Sequence, residues 1–149
     1  MLENTTDKIS GKLIKLATFY IGRALCGINI LHIQEINKLT NATNVPQSPD
    51  YVKGVLNLRG QIITVIDLGR KIALKSLSEK KENRNIIVQF QKEHIGLLVD
   101  KISDVFEIEA DKIEPAPSNI GNIQEVFFEG VVKNDSSLIG ILNIKEILS

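Results

Sequence analysis

Two copies of one short pattern make up most of this chain. The string G-I-N-I-L-H-I-Q-E-I begins at Gly27 and G-L-L-V-D-K-I-S-D-V begins at Gly96, with glycine, aliphatic and acidic positions in common. In a second block Asp67 lies thirteen positions after Gly54, and the same spacing and aliphatic run follow Gly130. Two copies are too few for a solenoid and instead indicate a pseudo-symmetric pair.

Short aliphatic runs separated by turn residues are typical of an all-β protein. Asp67 and Asn143 precede two short helical segments, whose first amides either side chain can cap. Each copy supplies about five short strands, and sheets of that size protect their edges by curling into barrels. We therefore predict a mainly β fold of two small barrels around a shared core, with strands free to cross between copies. The predicted strands cover residues 13–21, 25–30, 55–58, 62–66, 86–91, 94–99, 105–108, 127–133 and 138–142, and the helical segments cover 31–36, 68–74 and 144–148.

The domain organisation follows from the same pattern. Residues 1–11 are polar and lack periodic aliphatic positions, which predicts a flexible tail. The remainder, 12–149, is predicted to be one domain, with repeat one over about 13–74 and repeat two over about 86–149. The connector over 75–85 is polar, and its basic residues are interrupted by glutamates, as expected of a solvated loop.

The composition argues against several classes of function. The formal net charge is zero, so the chain lacks the excess of positive charge that nucleic-acid binding requires. Cys26 is the one cysteine, which rules out an internal disulfide, favours a reducing compartment and predicts a small core side chain. The N-terminus does not resemble a signal peptide, and no apolar run approaches the roughly 20 residues of a membrane helix. We expect a cytoplasmic protein that does not insert into a membrane.

The residue patterns of common catalytic and metal sites are absent from the sequence. The two histidines, His32 and His94, lie far apart without a cysteine or acid at metal-ligand spacing, and both are predicted to be surface or turn residues. Nucleophile-elbow, phosphate-loop and dinucleotide-binding motifs do not occur. We predict a binding module without a cofactor or a metal, rather than an enzyme.

The two copies differ most at one hairpin turn. The first copy reads N-L-R-G from Asn57, and the second reads K-N-D-S from Lys133. Arg59 at the tip of the first hairpin can reach a surface carboxylate such as Glu35 in a bidentate contact. Such a pair either locks the hairpin to the preceding bend or contacts a partner protein, and the residues alone leave both roles open.

Several longer strings carry a family resemblance. From about Leu16 to Leu148 the chain resembles the chemotaxis coupling proteins of the CheW family, and the central block P-x-x-P-x-Y-V-K-G-V-x-N-L-R-G is long and specific. It departs from the family at Thr64, where proline is common, and before Gly27, where an aromatic residue is usual. Because the chain ends at Ser149 without a receiver domain, we expect the single-domain adaptor and not the fused variant.

The resemblance implies a non-catalytic adaptor built from two SH3-like, five-stranded β-barrels. Such an adaptor joins transmembrane chemoreceptors to the histidine kinase CheA, whose regulatory domain has the same fold, so that the two alternate in rings at membrane-associated receptor arrays. Self-association in such rings is a further expectation, and the receptor's cytoplasmic tip is implied to lie in the groove between the barrels. Carried over by motif, the receptor- or kinase-coupling residues are Ile30, Ile33, Glu35, Gly54, Arg59 and Val105.

Alternative interpretations remain open for these residues and for the function. Ile30, Ile33 and Val105 fit the apolar pattern and can be core residues. Gly54 can instead serve close backbone approach or a bulge. A coupling protein of a non-motility kinase pathway, such as surface or pilus sensing, is the second functional hypothesis. A small-ligand-binding β-barrel is a more remote one, and the neutral charge disfavours a nucleic-acid-binding barrel.

Overall fold

The computed structural model describes residues 12–39, 41–73, 75 and 77–149, so the predicted tail over 1–11 lies outside the described residues. The helices are α1 (Leu68–Ala73) and α2 (Ile144–Ile147), with 3-10 helices at Ile30–His32, Ala110–Lys112 and Glu125–Phe127. The strands are β1 (Leu13–Ile21), β2 (Ala24–Asn29), β3 (Ile33–Asn37), β4 (Val52–Leu58), β5 (Gln61–Asp67), β6 (Arg84–Phe90), β7 (Glu93–Val99), β8 (Lys101–Glu109), β9 (Asn119–Ile120), β10 (Ile123–Gln124), β11 (Phe128–Asn134) and β12 (Ser137–Leu142).

The strands form two five-stranded sheets that exchange strands between the sequence repeats. The first sheet has the order β11-β12-β2-β1-β8, and the second has the order β3-β6-β7-β5-β4. The first sheet therefore combines β1 and β2 of repeat one with three strands of repeat two. The second sheet combines β6 and β7 of repeat two with three strands of repeat one. The short strands β9 and β10 pair with each other separately. This mainly β architecture of two small units confirms the predicted fold class.

The edges of each sheet are joined through a single backbone bridge. In the second sheet, Thr43 and Val55 exchange backbone hydrogen bonds of 2.7 and 2.8 Å, which link the segment after β3 to β4. In the first sheet, Glu114 and Val131 exchange two bonds of 2.8 Å, which link the segment after β8 to β11. Closure of this kind pairs edge groups that would otherwise be exposed.

A glycine makes each bridge possible. A Cβ atom on Gly54 would lie 2.5 Å from the carbonyl oxygen of Thr43, and one on Gly130 would lie 2.7 Å from that of Glu114. Gly54 also has a φ of +151° and lies at a shift of register between β4 and β5. Both structural roles considered for Gly54, close approach and a bulge, are therefore present.

One apolar core is shared by the two barrels. Cys26 belongs to it, as predicted, and burial raises the pKa of its thiol to about 12. Complete burial of one large aliphatic or aromatic side chain contributes about 1.5–3 kcal/mol, so this core holds the two barrels together. Its buried side chains come from both five-stranded sheets, both α-helices and β10: Phe19, Ile21, Ala24, Cys26, Ile28, Ile66, Leu68, Ile72, Ile86, Val88, Leu97, Val99, Ile123, Phe128, Leu142, Ile144 and Ile147.

Both predicted helix caps are confirmed. The Asp67 carboxylate accepts the backbone N–H of Arg70 at 3.1 Å, in the first turn of α1, and that of Leu77 at 3.2 Å, beyond the end of α1. The Asn143 side chain accepts the N–H of Glu146 at 3.2 Å at the start of α2. The interchange of aspartate and asparagine between repeats thus reflects one shared function.

The helical segment predicted over residues 31–36 is wrong in extent. A 3-10 helix covers Ile30–His32 alone, and β3 follows at once from Ile33 to Asn37. The backbone of β3 pairs with β6, and β-branched residues such as Ile36 fit this extended geometry better than a helix. The strand predicted over 105–108 is also longer, because β8 begins at Lys101 directly after the predicted bend at Asp100.

Candidate functional site

The 3-10 helix Ile30–His32 lies where the two sheets meet, since it contacts β1 of the first sheet and β6 of the second. Asn29 caps it, with its side-chain oxygen accepting the N–H of Leu31 at 3.0 Å. The N–H of Ile33 bonds to the carbonyl of Ile30, which brings these two candidate residues together. Both side chains are half-buried, and Ile33 packs against the shared core.

Glu35 and Arg59 form an ion pair just beyond this turn. Nη1 of Arg59 lies 2.5 Å from Oε1 of Glu35, so the predicted contact is present but uses one nitrogen and is not bidentate. Nδ2 of Asn37 donates to the other carboxylate oxygen, Oε2, at 3.0 Å. The Arg59 guanidinium, and then the Asn37 carboxamide, hold the pKa of Glu35 below its ordinary value. Glu35 is therefore ionised at neutral pH, and the pair is lost only as the pH falls through this lowered pKa.

The backbone of Arg59 adopts a conformation that arginine disfavours. Its φ is +52°, and Gly60 follows at +84°, as in tight two-residue hairpin turns. In the second repeat the equivalent residue is Asp135, with a φ of +54°, and aspartate tolerates this region more readily. Asp104 stands at the position equivalent to Glu35, so the second repeat has two acids in place of the ion pair. The strained arginine is consistent with a requirement for its side chain at this turn.

The remaining candidates, Gly54 and Val105, have different surroundings. Val105 lies on β8 at the edge of the first sheet, directly opposite Ala17 of β1. Its side chain is 60% exposed, so it is not a core residue. Gly54 is buried in β4, the strand that leads to the Arg59 turn. The structure thus brings Ile30 together with Ile33, and Glu35 together with Arg59, while Gly54 lies within β4 and Val105 lies on the other sheet.

Two exposed aliphatic residues near this group were not singled out from the sequence. Leu31, in the 3-10 helix, is 86% exposed, and Ile62 is 67% exposed opposite Asn57 in the hairpin that carries Arg59. In β5 the neighbours Ile63 and Val65 are buried, so strand alternation places Ile62 outward. An aliphatic residue at an outward-facing position of a strand is the sequence signal that could have identified Ile62. Apolar side chains beside a charged pair are common in partner-binding surfaces.

Two cavities lie apart from the candidate residues. One of about 570 Å³ is lined by the β1–β2 and β7–β8 turns and by part of the connector, including Arg23 and Lys101. A second of about 370 Å³ lies on the other side of the connector, beside Lys38 and Lys53. The six candidate residues do not line either cavity.

One domain family matches nearly the whole chain. The profile of the CheW-like domain covers residues 15–149. The chain belongs to the CheW-like family. Individual relatives agree with this assignment. Chemotaxis protein CheW of Klebsiella aerogenes is 31% identical over 147 residues, which span 97% of this chain and 89% of that protein. Chemotaxis protein CheW of Helicobacter pylori is 32% identical over 137 residues, 92% of this chain and 82% of that protein.

A solved structure supports the same assignment for the fold of this CheW-like chain. The crystal structure of the scaffolding protein TtCheW from Thermoanaerobacter tengcongensis matches it with a TM-score of 0.84 and 32% sequence identity. The match covers 93% of this chain and 89% of that one. Among the described residues, no helix has the length and apolar character needed to cross a bilayer. The same residues contain no cluster of three or more histidine, cysteine, aspartate or glutamate side chains placed to share a metal.

Replacement of Arg59 by alanine tests whether the ion pair is structural. The guanidinium is 69% exposed, and exposed ion pairs contribute little to stability. We expect Tm to change by less than about 2 °C and the pKa of Glu35 to rise. Thermal unfolding and carboxyl NMR titration measure the two effects. A large drop in Tm would show that the pair locks the hairpin to the preceding bend.

Proposed function

We propose that this CheW-like protein is a non-catalytic scaffold that couples transmembrane chemoreceptors to the histidine kinase CheA in chemotaxis. Relatives named chemotaxis protein CheW, and a structural neighbour described as a scaffolding protein, match it over nearly its full length. These names favour chemotaxis over the non-motility pathway and over a small-ligand carrier. The observation in the structure that best supports the proposal is the exposed ion pair of Glu35 and Arg59 at the junction of the barrels, flanked by exposed aliphatic side chains.

The candidate surface suits a helical partner such as the cytoplasmic tip of a receptor. Helices bind in open grooves through a few apolar anchors, with polar contacts at the rim. Leu31, Ile62 and Val105 are exposed aliphatic residues, and Ile30 and Ile33, on either side of Leu31, are half-buried. In this proposal Arg59 supplies a charged rim contact, which sets orientation and association rate more than affinity.

Two separate binding faces allow one molecule to join two partners. The receptor tip is proposed to occupy the junction, and the regulatory domain of the kinase to bind an end of one barrel. Each contact can be weak, because the array raises the effective concentration of every component. The protein is proposed to act in the cytoplasm, recruited to receptor arrays, where it alternates with kinase domains or associates with itself in rings. To transmit a signal, its contacts must differ in free energy between the active and inactive kinase states.

Binding measurements with purified partners test the proposal directly. The full chain is titrated with the regulatory domain of the cognate kinase and, separately, with a soluble fragment of the receptor tip. We expect both to bind and to bind at the same time, since they use different faces. Binding of neither partner would refute the scaffold function, and competition between them would refute the assignment of separate faces.

A further inference from the structure

Two carboxamides, one buried and one half-buried, face each other across strands of the second barrel, and one of them contacts the candidate site. Asn85 of β6 is fully buried, and Asn37 of β3 is paired directly opposite it. Oδ1 and Nδ2 of Asn85 and Oδ1 of Asn37 are buried without a hydrogen-bond partner among the described residues. Native interiors contain few such groups, because each one lowers the stability of the fold. Three such atoms in one pair of residues therefore require an explanation.

The first barrel has apolar residues at the equivalent positions. Leu16 and Phe106 each lie 69 residues from their counterparts Asn85 and Asn37, and they too are paired directly opposite each other. Leu16 is buried in the apolar cluster of the first barrel, and Phe106 packs against that cluster. An apolar pair thus satisfies this position of the fold, and the barrel itself does not require carboxamides.

Both side chains lie beside a glycine of the adjacent strand, but Asn85 approaches its glycine more closely. Cβ of Leu16 lies 3.5 Å from the position that a Cβ on Gly27 would occupy, which is an ordinary contact distance. Oδ1 of Asn85 lies 2.4 Å from the position that a Cβ on Gly96 would occupy. Gly96 therefore leaves space that the Asn85 carboxamide fills, whereas Leu16 at the equivalent position needs no such space.

Asn37 connects this interior pair to the surface. Its Nδ2 donates to Oε2 of Glu35 at 3.0 Å, while Oε1 of Glu35 accepts from Arg59 at 2.5 Å. The Glu35 carboxylate is thus held by one donor from inside the barrel and one from the hairpin tip. Cβ atoms of directly opposite residues lie about 4.5–5.5 Å apart, so the Asn85 carboxamide can bond to Asn37 after side-chain rotation or through one internal water. Such a bond fixes the orientation of Asn37 and, with it, of Glu35.

We propose that Asn37 and Asn85 are positioning residues for the Glu35–Arg59 ion pair, present in the barrel at the expense of its stability. Polar residues in a core that an apolar pair satisfies are expected where their orienting bonds serve a site. The inference rests on the proposed function only in its last step, the use of the ion pair for coupling.

The double variant Asn37→Phe and Asn85→Leu tests this role by copying the pair of the first barrel. We expect Tm to rise by roughly 2–8 °C, because the three buried, unpartnered polar atoms of the two amides are replaced by packed apolar groups. We also expect the pKa of Glu35, measured by NMR titration of its carboxyl carbon, to move up towards its ordinary value, and affinity for the receptor fragment to fall about tenfold. Thr18→Val is the control in the other barrel: it removes a buried hydroxyl that donates to the carbonyl oxygen of Asp104 at 2.6 Å, and it is expected to leave the pKa of Glu35 unchanged.

Each outcome separates the positioning role from its alternatives. A lower Tm, or an unchanged pKa of Glu35, overturns the proposal. If the double variant does not fold, Asn85→Leu alone is expected to give smaller rises in Tm and in that pKa, and the absence of both rises is equally decisive. If Tm and the pKa rise while receptor binding is unchanged, the positioning role stands and the proposed use of Glu35 and Arg59 in coupling fails.

Discussion

Substitution of Val105 by lysine is expected to abolish binding of the receptor tip and to leave the fold intact. Val105 is 60% exposed on the edge strand β8, so a longer, charged side chain extends into solvent without entering the core. Exposed substitutions usually change the free energy of unfolding by less than about 0.5 kcal/mol. In an apolar contact, by contrast, the buried charge is expected to lower affinity by more than about tenfold. Titration with the receptor fragment and thermal unfolding measure the two effects.

Leu13→Lys is the matched control for this change. Leu13 is 55% exposed and lies on the adjacent strand β1, opposite Glu109 at the far end of β8. The same charge at this position is expected to leave receptor binding unchanged. Equal losses for the two variants would indicate a general effect of charge, and unfolding of Val105→Lys would place the residue in the core.

Substitution of Gly54 by alanine is expected to destabilise the protein strongly. The new Cβ would lie 2.5 Å from the carbonyl oxygen of Thr43, in the bridge that joins the edges of the second barrel. The φ of +151° is also unfavourable for alanine, and together these effects are expected to cost about 3 kcal/mol or more. Tm is then expected to fall by roughly 6–12 °C. Any loss of coupling in this variant would follow from damage to the barrel and not from a lost contact.

Gly22→Ala provides the comparison for Gly54. Gly22 also has a positive φ, of +60°, but a Cβ there would have no neighbour within 4 Å. We expect a loss of about 1 kcal/mol from backbone strain alone. If Gly54→Ala were no more costly than Gly22→Ala, closure of the barrel would not depend on the contact with Thr43.

The repeat in the sequence predicted the fold well but not its connectivity. Alternating aliphatic runs have period two whether their partner strand comes from the same copy or the other one. Strand exchange was therefore left open, and the pairing of β5 with β7 and of β12 with β2 became known only from the structure. The single bridges at Thr43 and Glu114 were equally hidden, because isolated bridges leave no periodic signal in a sequence.

The sequence predicted the contact that follows from residue charge, but not the contacts that depend on which residues face each other across paired strands. A charged hairpin tip and a carboxylate in the preceding bend were enough to predict the contact of Arg59 with Glu35. Asn37 and Asn85 carried no comparable signal, since a lone asparagine in a strand gives no indication of its cross-strand partner. Val105 fitted both a core and a surface role until β8 was shown to be an edge strand.

The central claim is that one fold used twice yields two unlike faces that a receptor and a kinase can occupy together. The most direct test is reconstitution of kinase activity in receptor-containing membranes, with and without the full chain. We predict that receptor control of kinase activity requires the protein and is lost with Val105→Lys but kept with Leu13→Lys. Kinase activity that responds to receptors equally well when the protein is omitted would contradict the scaffold function.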